Sequence, residues 1–186
     1  MNYDKKKKLR EVLVYQISIL AFIMCFNLVF LNAKIPSGSM QKTLNPKDRV
    51  LCIRTGFTFD IKRGDIVVFK APLTGELYIK RVIGLPGETI SVKNGLIYVN
   101  GSKEAIREPY LNRPWAVANN RIKVSIPNGC YWVLGDNRDN SNDARFWPIT
   151  AKEQGLENPE SYAFVSREAI VAKAWLRYFP SLRILK

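Results

Sequence analysis

Histidine is absent from all 186 residues of the chain. Its absence excludes a Ser-His-Asp or Cys-His arrangement within the chain and removes the commonest metal ligand. Any hydrolytic chemistry would need another base. Cysteine is nearly absent as well. Cys25, Cys52 and Cys130 are odd in number, and their spacing fits neither a zinc site nor a disulfide framework. Cys25 falls in an apolar run, while Cys52 and Cys130 lie in strand-like stretches where core burial is expected ahead of a bridge. Acidic residues are scarce: 16 stand against 29 basic ones, for a net charge of +13. Such a balance points to an anionic partner, either nucleic acid or a membrane surface. No basic helix or aromatic-basic motif stands out, so no nucleic acid is expected.

Charge itself is missing from one long stretch. Lys5, Lys6, Lys7, Lys8 and Arg10 precede residues 12–33, which carry none. As a helix those residues would span about 33 Å, enough for a hydrocarbon core. The run exceeds the apolar region of a cleaved signal peptide, about 7–15 residues, and ends in "LNAKIPSG" with no Ala-x-Ala pair. A retained anchor is therefore expected. The asymmetry of basic residues divides the chain into a cytoplasmic segment (1–11), a transmembrane anchor (12–33) and an extracytoplasmic domain (34–186). The domain keeps about +10 of the net charge, which suits a position beside anionic lipid.

The remainder reads as mainly β. "RVLCIR", "DIVVFKA", "YIKRVIG", "ETISVKNGLIYVNG" and "CYWVLG" are short Val/Ile-rich runs between turn signals. Asn94-Gly95 between "TISV" and "LIYV" predicts a two-residue hairpin. Residues 101–127 are polar and proline-dotted and read as an excursion. Residues 150–170 hold the expected helical turns of the domain. The terminal "AWLRYFPSLRILK" fits either a last strand and tail or an interfacial segment.

Three stretches could carry chemistry. "IPSGSM" (35–40) places two serines one glycine apart, in residue types that are also ordinary turn formers. A serine nucleophile needs a base and donors for the developing oxyanion. Without histidine, lysine is the credible base, provided that burial or a neighbouring cation keeps it neutral. On a strand over 78–83, Tyr78, Lys80 and Val82 share one face, and Ile79, Arg81 and Ile83 the other. Arg81 keeps its charge and cannot be the base. Taken alone, a strand lysine is more often a solvated edge residue. The third stretch, "GDNRDNSNDARFW" (135–147), crowds Asp136, Arg138, Asp139, Asp143 and Arg145 around Ser141. It fails the EF-hand pattern, and its basic side chains predict an ion-pair lattice that braces a site.

In this order, with "RGDIVVFK", "GLPGE" and "AIVAKAW", the stretches resemble the type I signal peptidase family, membrane-bound serine proteases that remove signal peptides. The resemblance implies that Ser39 is the nucleophile and Lys80 the general base. Ser37 would give its hydroxyl to the oxyanion hole beside the amide of Ser39. Ser141 would orient the lysine, and Asp143 with Arg145 would hold the loop. Ile35, Pro36, Met40, Leu44, Val68 and Ile79 match segments that line the family's specificity pockets. The implied fold is a single N-terminal transmembrane helix followed by an antiparallel, coiled β-sheet peptidase domain.

A lysine base is similar to the bacterial or organellar branch, and so implies a single-pass protein of the bacterial cell membrane. The implied partners are signal-peptide-bearing preproteins and the lipid bilayer, with a monomer expected and neither metal nor organic cofactor. The family usually reads Met-x-Pro-Thr-Leu after the nucleophile. Here Lys42 replaces the proline, which predicts a looser loop, and Ala172 stands where glycine is common. The alternatives are a catalytically silent, membrane-tethered peptide-binding homologue and a self-cleaving repressor. The anchor in place of a DNA-binding module disfavours the latter.

Overall fold

A computed structural model describes residues 3–57, 60–111 and 122–185, with side chains from residue 6 onward; residues 112–121 of the excursion and Lys186 of the tail lie outside them. The fold is mainly β. Helix α1 (Tyr3–Val29) leads into β1 (Phe30–Lys34), β2 (Arg49–Arg54), β3 (Ile66–Lys70), β4 (Leu77–Gly84), β5 (Thr89–Lys93) and β6 (Leu96–Val99). Then follow β7 (Lys123–Ser125), β8 (Cys130–Leu134), α2 (Trp147–Glu153), β9 (Val165–Ser166), β10 (Ile170–Phe179) and β11 (Arg183–Ile184). The expected strand runs and helical turns fall on these elements. At the expected hairpin, Asn94 and Gly95 take φ of 52° and 71°, the left-handed pair that a tight turn between twisted strands requires.

The apolar N-terminal run is helical, but it ends earlier than expected. The stretch Lys6–Val29 is long and apolar enough to cross a membrane, and every side chain from residue 6 to residue 28 is exposed. The anchor anticipated over 12–33 loses its last four residues to the sheet. Phe30 to Ala33 pair antiparallel with β2, from Phe30 opposite Ile53 to Lys34 opposite Arg49. The alternation of half-buried and exposed residues along β1 is that of a strand, and β2 satisfies its backbone polar groups on one side.

The strands form an antiparallel sheet in the order β1-β2-β10-β3-β4-β8-β9, with β11 folded back onto β10, and a three-stranded sheet β6-β5-β7. Strand β3 lies where two cores meet. Its period of two sends Val67 and Phe69 into a cluster with Val82, Trp132 and Trp147, while Ile66 and Val68 join Ile35, Met40, Leu44 and Cys52. Both faces are therefore buried, which is why "IVVF" is an unbroken apolar run. Register shifts interrupt β10 three times and β4 once. Such bulges raise local twist and coil the sheet, so the connection after β1 can reach β4 although three strands lie between them in sheet order.

Candidate active site

The "IPSGSM" stretch is the connection between β1 and β2. Its base is closed by backbone bonds from the Ile35 amide to the Asp48 carbonyl (2.9 Å) and from the Lys47 amide to the Ile35 carbonyl (2.8 Å). Met40 and Leu44 are fully buried and anchor the loop in the core beneath it. Asn137, after β8, donates its amide to the Ser39 carbonyl and its side-chain nitrogen to the Gly38 carbonyl, each at 3.0 Å. The small residues at 37–39 thus stand above an apolar plug and are braced from the side.

Lysine 80 meets this loop. Its Nζ lies 2.5 Å from the Ser39 Oγ, and the Ser37 Oγ lies 3.4 Å beyond. The ammonium donates to the hydroxyl, whereas the neutral amine accepts the hydroxyl proton. Only 4% of Lys80 is exposed, and it shares its strand face with Tyr78, whose ring centre is 5.8 Å from Nζ. Burial lowers the Lys80 pKa from the ordinary 10.5 to about 8; Asp143 and Asp136 pull it upward, and Arg145 pushes it further down. A solvated edge lysine is excluded.

Both carboxylates are matched by arginines. Arg81 grips Asp136 through two parallel bonds, Nε to Oδ1 at 2.8 Å and Nη2 to Oδ2 at 2.6 Å. Thr43 Oγ1 donates to the same carboxylate, tying the serine loop to the "GDN" loop (2.5 Å). Arg145 grips Asp143 in the same way, at 2.8 and 2.9 Å, and Asp143 also accepts the Gly135 amide at 3.0 Å. The expected ion-pair lattice is present, but it extends beyond the loop. Glu108 in the excursion pairs with Arg138, and the Tyr110 ring lies 4.0 Å beneath the Arg81 guanidinium. Sequence reasoning missed Arg81, Glu108 and Tyr110 as parts of this brace. An always-charged arginine beside Lys80, on a strand of apolar residues, was the available signal for the first.

Ser141 differs from expectation. Its hydroxyl is buried and makes no hydrogen bond, to Lys80 or to any other described residue. It points at Gly135, where an added Cβ would lie 2.2 Å from the Ser141 Oγ and 2.4 Å from the Ser39 carbonyl oxygen. Ser141 therefore packs against the backbone that supports Ser39, and Gly135 provides the space. Lys42 also corrects the expectation of a looser loop. It takes φ of 86°, a left-handed conformation closed to proline, and the Gln41, Thr43 and Leu44 amides around it bond back to Gly38 and Met40.

Two clefts lie along this loop, and Ser39 lines the first. One, of about 460 Å³, is lined by Pro36 to Ser39, by Glu76 to Lys80 and by Asn140 and Asn142. The other, of about 260 Å³, runs between β1 (Leu31 to Lys34, continuing to Pro36) and Leu77 to Ile79 of β4, with Val68 among its lining. Of the expected pocket residues, Ile35, Pro36, Val68 and Ile79 line these clefts. Met40 and Leu44 do not: both are fully buried in the core behind them, because they hold down the loop.

Comparison with known proteins gives a consistent picture. The family model described as "Signal peptidase, peptidase S26" matches residues 9–179. The chain is 35% identical over 174 residues to Signal peptidase I U of Bacillus subtilis (strain 168), covering 88% of this chain and 92% of that protein. It is 37% identical over 157 residues to "Probable signal peptidase I-2" of Synechocystis sp.; the match covers 81% of this chain and only 63% of that longer relative. A crystal structure of a signal peptidase I from Enterococcus faecalis V583 aligns with 60% of this chain and 94% of its own, at 29% identity and a TM-score of 0.46.

Two substitutions probe this geometry. Gly135→Ala should fold but lose most catalytic activity, because the new methyl group displaces the Ser39 backbone or Ser141. A cleavage rate equal to wild type would show that the site tolerates this shift. Lys42→Pro should destabilise the protein by more than about 1 kcal/mol, since proline cannot adopt φ of 86°. Lys42→Gly should be neutral or stabilising by up to about 1 kcal/mol. Thermal unfolding of the two variants checks the sign.

Proposed function

Because the chain belongs to the signal peptidase (peptidase S26) family, we propose that it is a membrane-bound serine endopeptidase that removes signal peptides with a Ser39/Lys80 dyad. The observation that carries the mechanism is the 2.5 Å approach of a buried, pKa-lowered lysine to a serine hydroxyl. Neutral Lys80 takes the Ser39 proton as Oγ attacks the scissile carbonyl. The oxyanion is met by the Ser39 amide and the Ser37 hydroxyl; among the described residues no acceptor engages that amide. The Lys80 ammonium then protonates the leaving amine, and a water repeats the sequence to release the acyl group.

The substrate would lie extended along the smaller cleft. Among the described residues, strand β1 pairs only with β2, and β8 meets β4 only from Arg81 onward, so Leu77 to Lys80 keep one edge open. Two facing edges can hydrogen-bond a peptide, while alternate side chains enter the apolar cleft. At about 260 Å³ in all, the cleft favours small side chains at the first and third positions before the cut. Helix α1 anchors the enzyme through its exposed, uncharged stretch from Val12 to Leu28, with its basic end cytoplasmic and residues 34–186 outside. Ser141, Asp143 and Arg145 support the dyad from behind.

Results are expected for variants, for pH and for substrate. Purified Ser39→Ala should insert and fold but not cleave a preprotein, and Ser37→Ala should lose roughly 10²–10³ in kcat. Lys80→Arg should be as inactive as Lys80→Ala, because arginine cannot give up its proton; substantial activity in the arginine variant would place the base elsewhere. Wild-type kcat/KM should rise with pH through a single deprotonation near 8, with about a tenth of the enzyme in the active form at pH 7. A profile that is flat from pH 6 to 10 would exclude Lys80 as the titrating base. Preproteins with alanine at the first and third positions should be cut, and leucine at the first should block cleavage.

A further inference from the structure

A cluster of cations on the outer face of the sheet has no role in this chemistry. Lys34 on β1 lies directly opposite Arg49 on β2, and Arg49 lies directly opposite Phe179 on β10. Like charges placed directly across an antiparallel pair repel. Lys47 joins them, and with Tyr178 and Phe179 the three cations line a cavity of about 460 Å³. All three cations are exposed, and among the described residues none has an ion-pair partner. The neighbouring Asp48 does not neutralise them. It is buried, accepts the Asn45 amide at 2.9 Å and faces Arg177 at 3.4 Å. One wall of the cavity is fixed, because Tyr178 donates its hydroxyl to the Asn32 Oδ1 at 2.8 Å.

The location narrows the partner. Lys34 is five residues beyond Val29, the last residue of α1, so the chain places it no more than about 18 Å from the helix end. Phe179 (53% exposed) lines the cavity with the cations, and the chain that follows it, folding back onto β10, exposes Leu182 (77%) and Ile184 (61%). Unpaired cations edged by exposed apolar side chains match a phosphate headgroup with acyl chains below it; a free anion would have no use for the apolar edge. We propose that Lys34, Lys47 and Arg49 form a binding site for the phosphate of an anionic glycerophospholipid in the membrane that α1 spans. This site rests on the anchored reading given above. Lys34 also borders the apolar cleft, so an occupied site would place a lipid phosphate beside the path of the substrate.

The test uses the full chain in a non-ionic detergent. Thermal unfolding is followed while short-chain phosphatidylglycerol, short-chain phosphatidylcholine or inorganic phosphate is added. Phosphatidylglycerol should raise Tm saturably, and phosphatidylcholine should not. The Lys47→Gln/Arg49→Gln variant, with its cleavage rate in lipid-free detergent unchanged, should bind phosphatidylglycerol roughly tenfold or more weakly. Should that pair fail to fold, Arg49→Gln alone should weaken binding, and high salt should weaken it in the wild type. An equal shift with inorganic phosphate would assign the site to free anions and overturn the lipid. Undiminished phosphatidylglycerol binding by the variant, or no shift at all, would also overturn it. Alkaline carbonate extraction of membranes separates the two readings. A chain that stays in the membrane but shows no lipid shift keeps its anchor and loses this site, and an extracted chain that keeps the shift does the reverse.

Discussion

A buried lysine that can give up its proton near neutral pH is the constraint around which this structure is arranged. Holding the Lys80 pKa at about 8 instead of 10.5 disfavours its charged form by about 3 kcal/mol. Burial supplies the shift, yet two carboxylates, Asp143 and Asp136, act against it. Left unpaired, each would draw a proton onto the amine. Each instead has an arginine held in a two-pronged grip: Arg145 on Asp143 and Arg81 on Asp136, every one of these side chains nearly or fully buried. Both arginines satisfy carboxylates that shape the loop, and Arg145 also pushes the lysine pKa down against the pull of Asp143 and Asp136. Buried pairs of this kind often add little net stability, so holding the loop and the strand in place around Lys80 is the better account of their presence.

The same groups set the distance between the Ser39 hydroxyl and the Lys80 amine. Ser39 and Lys80 come from elements 41 residues apart, and no local geometry brings them to 2.5 Å. Thr43 on the serine loop and Arg81 on the lysine strand both bind Asp136, so one carboxylate fixes the separation of the two elements. Asn137, the next residue, holds the Gly38 and Ser39 carbonyls. Gly135, just before Asp136, leaves space for the Ser39 backbone and Ser141. Three consecutive residues therefore carry a packing, an ionic and a hydrogen-bonding duty toward the same turn.

Much of this was readable in the sequence where the signal is local. Period-two apolar runs gave the strands, Asn94-Gly95 gave the hairpin, and ordered motifs singled out Ser39 and Lys80, which the fold brings within 2.5 Å of each other. What escaped depends on the chain meeting itself at long range. Asp136 was seen as acidic, but its partner Arg81 lies 55 residues earlier. The bond between Glu108 and Arg138 joins the excursion to the loop across 30 residues with no local pattern to reveal it. Residues 30–33 looked like anchor because uncharged apolar residues suit both a membrane helix and a strand, and only pairing with β2 decides between them. Met40 and Leu44 were placed in the pocket wall for a similar reason: sequence reports that a residue is apolar, not on which side of a thin wall it stands.

The early end of the helix has a consequence for the whole design. With no linker, α1 passes into β1, and the junction is fastened on both sides. Phe30 stacks between Phe26 (4.8 Å) and Trp175 (6.1 Å), and Arg54 donates through Nε to the Asn27 carbonyl at the helix end (3.0 Å). Such a cation also complements the negative end of the helix dipole. Ser39 follows Val29 by ten residues, so it cannot lie more than about 36 Å from the helix end. The strand that spans half that distance is the one whose free edge borders the apolar cleft. Under the proposed function, a peptide bound along β1 would run beside the continuation of α1, which is the geometry a substrate needs when its apolar segment ends at the bilayer surface that α1 crosses.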